Sequence, residues 1–361
     1  MVTEQLGNLF RVRSGDGISI TNLSSFGAYP VYGGNGINGY TSDFNVEKET
    51  MVIGRVGEKC GNVNITKSRS WVSDNALIVT PKTKYNLKYM GYLLEKINLN
   101  DYANRNAQPV ISGQIIYAIE APYVKNIDEQ RVIAQTLYGF DTYIDNLAEL
   151  IEKKRGVRDG AINDLLSASR RLTGFDKPWK ETTLGKECTV IMGQSPNSAS
   201  YNSSGIGVPL VQGNADIENR VTAPKRYTSM PTKICENGDT ILAVRAPVGT
   251  ASRANQRVCL GRGVCAISGI HKDFIYYLMR YCESSWEAIE QGSTFTAVSG
   301  KEVRNFEIKI PEEGAEQDAI AQILISMDEE IEALEIERDK MIQIREGAMD
   351  DLLTGRVRLS V

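Results

Sequence analysis

Residues 129–172 read "EQRVIAQTLYGFDTYIDNLAELIEKKRGVRDGAINDLLSASRRL", and residues 316–359 read "EQDAIAQILISMDEEIEALEIERDKMIQIREGAMDDLLTGRVRL". The two stretches align without a gap at an offset of 187, and 18 of 44 positions are identical. Weaker matches extend upstream. "SGQIIYAIEAP" resembles "SGKEVRNFEIKIP", "YPVYGGNG" resembles "VPLVQGNA", and "EQLGNLFRVRSG" resembles "TTLGKECTVIMG". The chain therefore consists of two copies of one module, each a variable globular part followed by a long helical part.

The helical parts carry one apolar stripe each. Ile133, Leu137, Phe140, Ile144, Leu147, Ile151, Ala161 and Leu165 fall at alternating spacings of four and three, interrupted by Lys154 and Arg158. Ile320, Leu324, Met327, Ile331, Leu334, Met341, Ala348 and Leu352 hold the same phase, interrupted by Arg338 and Arg345. This is a heptad seam, and neither segment contains proline. A helix of about 40 residues is roughly 60 Å long, too long for a small domain to wrap, so the stripes must pack on each other or on another protein. Head-to-tail copies favour the first solution, as an antiparallel pair with a globular part at each end of a rod.

The expected fold is α/β (α+β): two mixed domains, residues 1–128 and 173–311, and two long coiled-coil helices, 129–172 and 312–361, related by a pseudo-twofold repeat. Within the domains, strands are expected at 50–56, 75–81, 240–246 and 263–268, and helices at 87–99 and 272–291. Long Gly, Ser and Asn-rich loops such as "GQSPNSASYNSSGIG" (193–207) separate them. Loops of that length in a compact domain usually carry function.

Composition narrows the functional classes. No run approaches 18 apolar residues and the N-terminus lacks an apolar leader, so no membrane role is expected and the cytoplasm is the expected location. The six cysteines, Cys60, Cys188, Cys235, Cys259, Cys265 and Cys282, form no C-x-x-C pair or zinc grouping and are expected to be reduced and mostly buried. The single histidine, His271, excludes a multi-histidine metal site. The net charge of −4 conceals a partition: +2 over residues 1–128, 0 over 129–172, +3 over 173–311 and −9 over 312–361. Between Asp239 and Asp273 lie Arg245, Arg253, Arg257, Arg262 and Lys272 with no acid. Segregation of this kind suits an anionic partner on one face.

Residues 29–40, "YPVYGGNGINGY", place Gly34, Gly36 and Gly39 in a G-x-G-x-x-G spacing. A dinucleotide cradle needs a helix opening at the end of that run, and here a turn-rich link into a strand follows; the matching "PLVQGNADIENR" keeps only Gly213. The run reads instead as a tight glycine loop whose backbone closely approaches a partner or the core of its own domain. No P-loop, nucleophile elbow, H-E-x-x-H or adenine-methyltransferase motif occurs.

The layout resembles the DNA-specificity (S) subunit of type I restriction-modification systems over essentially the whole chain. The carrying features are the two near-identical helices opening on "EQxxIAQ", "YPVYGGNGINGY" in the first module, "WKETTLG" opening the second and "STFTAVSGKEVRNFEIKIP" closing it. The first module departs from the pattern: nothing matches Trp179 ahead of Leu6 and Gly7, and its closing stretch reads "NAQPVISGQIIYAIEAP". The resemblance implies a non-catalytic subunit whose two target-recognition domains read a bipartite, asymmetric sequence in double-stranded DNA, with the helices as a ruler. It implies as partners two modification (methyltransferase) subunits and restriction subunits, with S-adenosylmethionine, ATP and Mg on those partners and no cofactor here. The acidic C-terminal arm would face a partner. The alternatives are a specificity subunit of another restriction-modification type and a coiled-coil scaffold without a nucleic-acid role. Lys and Arg would hold phosphates while Asn, Gln and Arg read base edges. The candidate contacts are Asn35, Asn38, Arg55, Lys59, Lys67, Arg69 and Gln108 in the first module. In the second they are Gln194, Gln212, Asn214, Lys225, Arg226, Arg245, Arg253, Arg257 and Arg262.

Overall fold

The computed structural model describes residues 1–106, 108–286 and 297–359. The chain divides into two compact units interleaved along the sequence: Met1–Ala148 with the segment from Glu335 onward, and Glu149–Leu334. Each unit thus takes one globular part and a portion of both long helices.

In the first unit a four-stranded antiparallel sheet has the order Phe10–Ser14, Ala76–Pro81, Met51–Gly54, Val63–Ile65. A second sheet orders Gly36–Thr41, Tyr29–Gly33 and Trp71–Val72, the last pair parallel. Val2–Gln5 pairs with Glu120–Tyr123 beside them. The strands expected at 50–56 and 75–81 are Met51–Gly54 and Ala76–Pro81, both almost wholly apolar and buried, as central strands are. The helix Leu87–Ile97 starts at Asn86, whose side chain accepts from the Tyr89 amide at 3.0 Å, and stops at Asn98 in a left-handed conformation (φ 52°). Its Tyr89, Met90, Leu93 and Leu94 pack with Met51, Ile53, Leu77 and Val79 in one core.

The second unit repeats this plan. Thr189–Met192, Val264–Ser268, Thr240–Ala243 and Ala251–Arg253 keep the order of the first unit's main sheet, extended by Val221–Thr222 and Ile217–Glu218. The other sheet is centred on Val208–Val211, the counterpart of Tyr29–Gly33, which is again parallel to a neighbour, Val258–Leu260. Trp179–Thr183 pairs with Glu307–Pro311 as Val2–Gln5 does with Glu120–Tyr123. The extra strands are built from the long loops that make this module the larger one. Lys272–Tyr281 is the counterpart of Leu87–Ile97 and buries Phe274 to Met279. The expected helix 272–291 lies outside the described residues from 287 on, as does the start of "STFTAVSG".

The long helices are Ile127–Leu166 and Gly314–Thr354. In the first unit their pairing is antiparallel, with Glu129 beside Arg358, Asp141 beside Arg345 and Tyr143 beside Glu337. The second unit has the same sense, with Lys154 against Glu330 at 2.6 Å, Arg158 against Asp328 at 2.9 Å and Arg171 against Glu316 at 2.7 Å. Ile133, Leu137, Leu147, Ile151, Leu165, Ile320, Leu324, Ile331 and Leu352 of the expected seams are buried. The first helix stops at Leu166, short of Leu172, because Ser167 and Ser169 hydroxyls both donate to the Asp164 carbonyl and Ala168 turns to a positive φ of 60°.

The "EQ" that opens both helical repeats has one structural task in each. Glu129 and Glu316 are 2% and 1% exposed, and each is held by the arginine that closes the other copy, Arg358 and Arg171. Gln130 and Gln317 turn back to donate to the Val124 and Pro311 carbonyls at 2.6 and 2.9 Å, tying each helix start to the strand before it.

Candidate nucleic-acid interface

The glycine run is a hairpin, Tyr29–Gly33 and Gly36–Thr41, joined by Gly34 and Asn35. Gly36 has φ 95°, the left-handed region a side chain would resist. A Cβ on Gly54 would lie 2.2 Å from the Gly34 carbonyl, so the close approach is to the domain's own central strand. No helix opens after the run. The tip that this packing projects carries Asn35, exposed, its Oδ1 accepting from Asn62 Nδ2 at 3.1 Å.

Three further candidates come to the same edge. Arg55, exposed, follows the strand Met51–Gly54, and its Nη1 donates to Ser14 Oγ at 3.2 Å. Lys59 is exposed on the loop that ends at Asn62. Gln108 is brought in by backbone bonds from Gly57 N to the Pro109 carbonyl and from Ile111 N to the Arg55 carbonyl, both 2.9 Å. Asn38 occupies the bulge between Val31 and Tyr32, with its amide folded over Gly33. Lys67 and Arg69 stand on a different loop. The Lys67 amide donates to Tyr32 Oη at 3.2 Å, and the Arg69 guanidinium lies 5.6 Å from the Phe44 ring centroid.

In the second unit the equivalent edge gathers Gln194, Gln212, Asn214, Arg245 and Arg262. A Cβ on Gly193 would lie 2.0 Å from the Gly261 carbonyl, and one on Gly263 would lie 2.2 Å from the Gln212 carbonyl, so the three loops abut. Arg262 Nε donates to Ser195 Oγ at 3.4 Å, and Gln212 Nε2 to Tyr201 Oη at 3.4 Å. Asn214 Nδ2 donates to the Pro247 carbonyl at 3.2 Å, beside Arg245, and its Oδ1 is buried without a partner among the described residues. Lys225 and Arg226 are exposed where the strand Arg226–Thr228 begins. Arg253 and Arg257 are engaged elsewhere. Arg253 pairs with Asp273 and lies 4.3 Å over the Tyr276 ring, and Arg257 Nε sits 3.4 Å from Glu236.

Arg55 and Arg245 stand at the same strand end, one position apart. Each is exposed just past the third strand of its main sheet, but Arg55 matches Val244 and Arg245 matches Val56, since Ile111 N and Val298 N donate to the Arg55 and Val244 carbonyls and Val56 and Arg245 bridge Val110 and Ala297. Their surroundings differ, since Asn35, Lys59 and Gln108 accompany one and Gln194, Gln212 and Arg262 the other. Sequence reasoning named both arginines without seeing that they share a strand end; the signal was "VIGRVG" against "LAVRAPVG". It missed Asn62 and Ser195, which position candidate side chains and carry no charge to draw notice.

Burial pushes the Cys188 thiol up to about 11 and those of Cys235, Cys265 and Cys282 to about 12, so these sulfurs stay protonated and unreactive. Among the described residues no group of three or more His, Cys, Asp or Glu could hold a metal ion, and no helix is long and apolar enough to cross a membrane.

The family described as Type I restriction modification DNA specificity domain matches residues 1–153 and 176–342. A putative type I restriction enzyme MjaX specificity subunit of Methanocaldococcus jannaschii is 30% identical over 305 residues, 79% of this chain and 72% of the relative. The type I restriction enzyme EcoprrI specificity subunit of Escherichia coli is 31% identical over 163 residues, 44% and 40% of the two chains. In fold, the crystal structure of a type I restriction-modification system S subunit from M. genitalium matches with a TM-score of 0.69 at 20% identity, over 98% of this chain and 96% of that one. A chain from a structure of type I R-M complex assembly matches with a TM-score of 0.61 at 21% identity, over 99% and 98%. With two matching domains and a relative aligned over most of its length, the chain belongs to the type I restriction-modification DNA specificity family.

Proposed function

We propose that this subunit is the non-catalytic reader of a bipartite, asymmetric DNA target and that it directs the methyltransferase and restriction subunits of a type I complex. The observation that carries the reading is the pair Arg55 and Arg245. Two units of one strand order present an exposed arginine at the same strand end, among amide side chains that differ between them. A shared strand end supports two reading heads, and the one-position offset and unequal neighbours support two different half-sites. Asn35, Asn38, Lys59, Lys67, Arg69 and Gln108 would read or hold one half-site, and Gln194, Gln212, Asn214, Lys225, Arg226 and Arg262 the other. Arg253 and Arg257, already paired, would contribute least.

The partner side of the proposal rests on a duplicated outer stripe. Lys153, Val157, Gly160 and Asp164 recur as Lys340, Ile344, Gly347 and Asp351. Val157 and Ile344 are 61% and 42% exposed, and a Cβ at Gly160 or Gly347 would meet nothing within 4 Å. A mid-helix glycine costs about 1 kcal/mol relative to alanine, and neither unit gives a reason for it. Two equivalent unoccupied stripes favour two copies of one partner, the modification subunit. Chemistry would then lie on the partners, with S-adenosylmethionine, ATP and Mg bound there.

The test is to reconstitute the subunit with a type I methyltransferase subunit and to map methylation across a genome by long-read sequencing. A single split motif is the expected result. Methylation without a bipartite context would refute the reading.

A further inference from the structure

The seams of both long helices are broken by an arginine, Arg158 and Arg345, at the repeat offset. Each arginine meets an aspartate of the opposite helix, and those aspartates, Asp328 and Asp141, are also repeat equivalents. In the second unit Arg158 Nη1 donates to Asp328 Oδ1 at 2.9 Å. The other carboxylate oxygen accepts Tyr277 Oη at 2.6 Å and Arg280 Nη1 at 3.3 Å, both from the domain helix Lys272–Tyr281. In the first unit Arg345 Nε donates to Asp141 Oδ1, and Tyr92, from the domain helix Leu87–Ile97, donates to Asp141 Oδ2. Arg345 Nη2 continues to Glu95 at 3.0 Å. Three elements therefore meet at one carboxylate in each unit: two long helices and the helix of the globular domain.

Burial, reinforced by the hydrogen bond to aspartate, pushes both tyrosine hydroxyls up, so both remain donors. The arginines are mostly withdrawn from water, with Arg158 and Arg345 side chains 15% and 17% exposed and Arg280 only 7%. Polar groups in an apolar seam tend to specify register at a cost in stability. The sequence bears this out for the second unit: a slip of one heptad would set Asp328 opposite Ile151 or Leu165, neither of which can donate. In the first unit the same slip would set Asp141 opposite Leu352 or Arg338, so that clasp is the less exclusive.

We infer that each Asp–Arg–Tyr clasp is a positioning device that locks the globular domain of its unit at one angle on its helix pair, Tyr92, Tyr277 and Arg280 being the domain's grips. Building on the proposed DNA reading, the clasps hold the reading heads to one target spacing. The hydroxyl finds its acceptor only where the opposite arginine holds the aspartate, so domain angle and helix register are set together.

The test cuts the domain's arm and leaves the helix-to-helix arm: Tyr277→Phe with Arg280→Met, which keeps Asp328 paired to Arg158. Spin labels at Ser229→Cys on the domain and Glu329→Cys on the long helix, both exposed and within one unit, report the angle. The wild-type full chain should give one narrow distance distribution and the double variant one about twofold wider, with the thermal transition retained. An unchanged width overturns the inference, and Tyr277→Phe alone serves if the double variant fails to fold. In the assembled complex the preference for the cognate spacer over one changed by a base pair should fall about tenfold; an unchanged preference despite widened distances overturns the link to spacing. A wild-type complex with no spacer preference would instead defeat the proposed function, while the distances still decide the clasp.

Discussion

Replacing Arg171 by methionine isolates the buried ion pair at the start of the second long helix. Glu316 is 1% exposed and accepts Arg171 Nε at 2.7 Å, Arg171 Nη2 at 2.9 Å and Trp179 Nε1 at 3.3 Å. The substitution leaves a buried carboxylate with the indole alone. Breaking such a pair costs about 3–5 kcal/mol. The surviving indole bond and the 28% exposure of the Arg171 side chain place this case near the lower end, about 3 kcal/mol. A unit of this size loses about 2–4 °C per kcal/mol, so the transition should fall by about 6–12 °C. Glu316→Gln keeps one acceptor oxygen for Arg171 Nε and the indole, loses the one for Arg171 Nη2 and strands only a cation that reaches water, so it should cost about 1 kcal/mol. The double variant holds no buried charge and should melt above Arg171→Met. Scanning calorimetry on the four proteins reads the order directly. If Arg171→Met melts within about 2 °C of wild type, or below it only as far as Glu316→Gln does, the buried pair is not what holds the helix start.

The remaining expectations concern other parts of the molecule. Arg358 beside Glu129 holds that carboxyl below the ordinary glutamate range against the opposing effect of burial. A depressed carboxylate stabilises the fold above its unfolded value and loses that contribution as pH falls through its folded one, so first-unit stability should decline on acidification. Arg358→Leu should flatten that decline in a melting series from neutral to acid pH; an unaltered slope would count against the pair. Arg55→Gln and Arg245→Gln should each weaken specific DNA binding and lower the slope of log affinity against log salt by about 1, measured by fluorescence anisotropy. Gly160→Ala and Gly347→Ala should each raise thermal stability by about 1 kcal/mol, because the space is open, yet weaken methyltransferase association in pull-down titrations. Stabilisation with unaltered association would remove the stripe from the partner surface.

What the sequence disclosed and what it withheld follow from the range of the interactions involved. The long helices were legible because a heptad seam is a local, periodic property, and Ile133 to Leu165 and Ile320 to Leu352 needed only counting. The central strands were legible because buried strands are continuous apolar runs, as "MVIG" and "TILA" are. The short strands built from the loops 193–235 were not, since two-residue ladders such as Tyr201–Asn202 with Arg226–Thr228 exist only by pairing across the chain. The glycine run shows the same division. Its spacing suggested a phosphate cradle, and only the carbonyl of Gly34 against Gly54 shows what the missing side chains are for. Charge was the weakest guide to the candidate edge. Arg253 and Arg262 look alike in an acid-free run, but one is spent on Asp273 and Tyr276 while the other leans on Ser195. The residues that interrupt the apolar pattern proved the more telling class. Arg158 and Arg345 look like blemishes in a seam when each copy is read alone. Set on the repeat, each finds its aspartate in the other copy, so the exceptions to the pattern, recurring together, are where the two halves of the chain recognise one another.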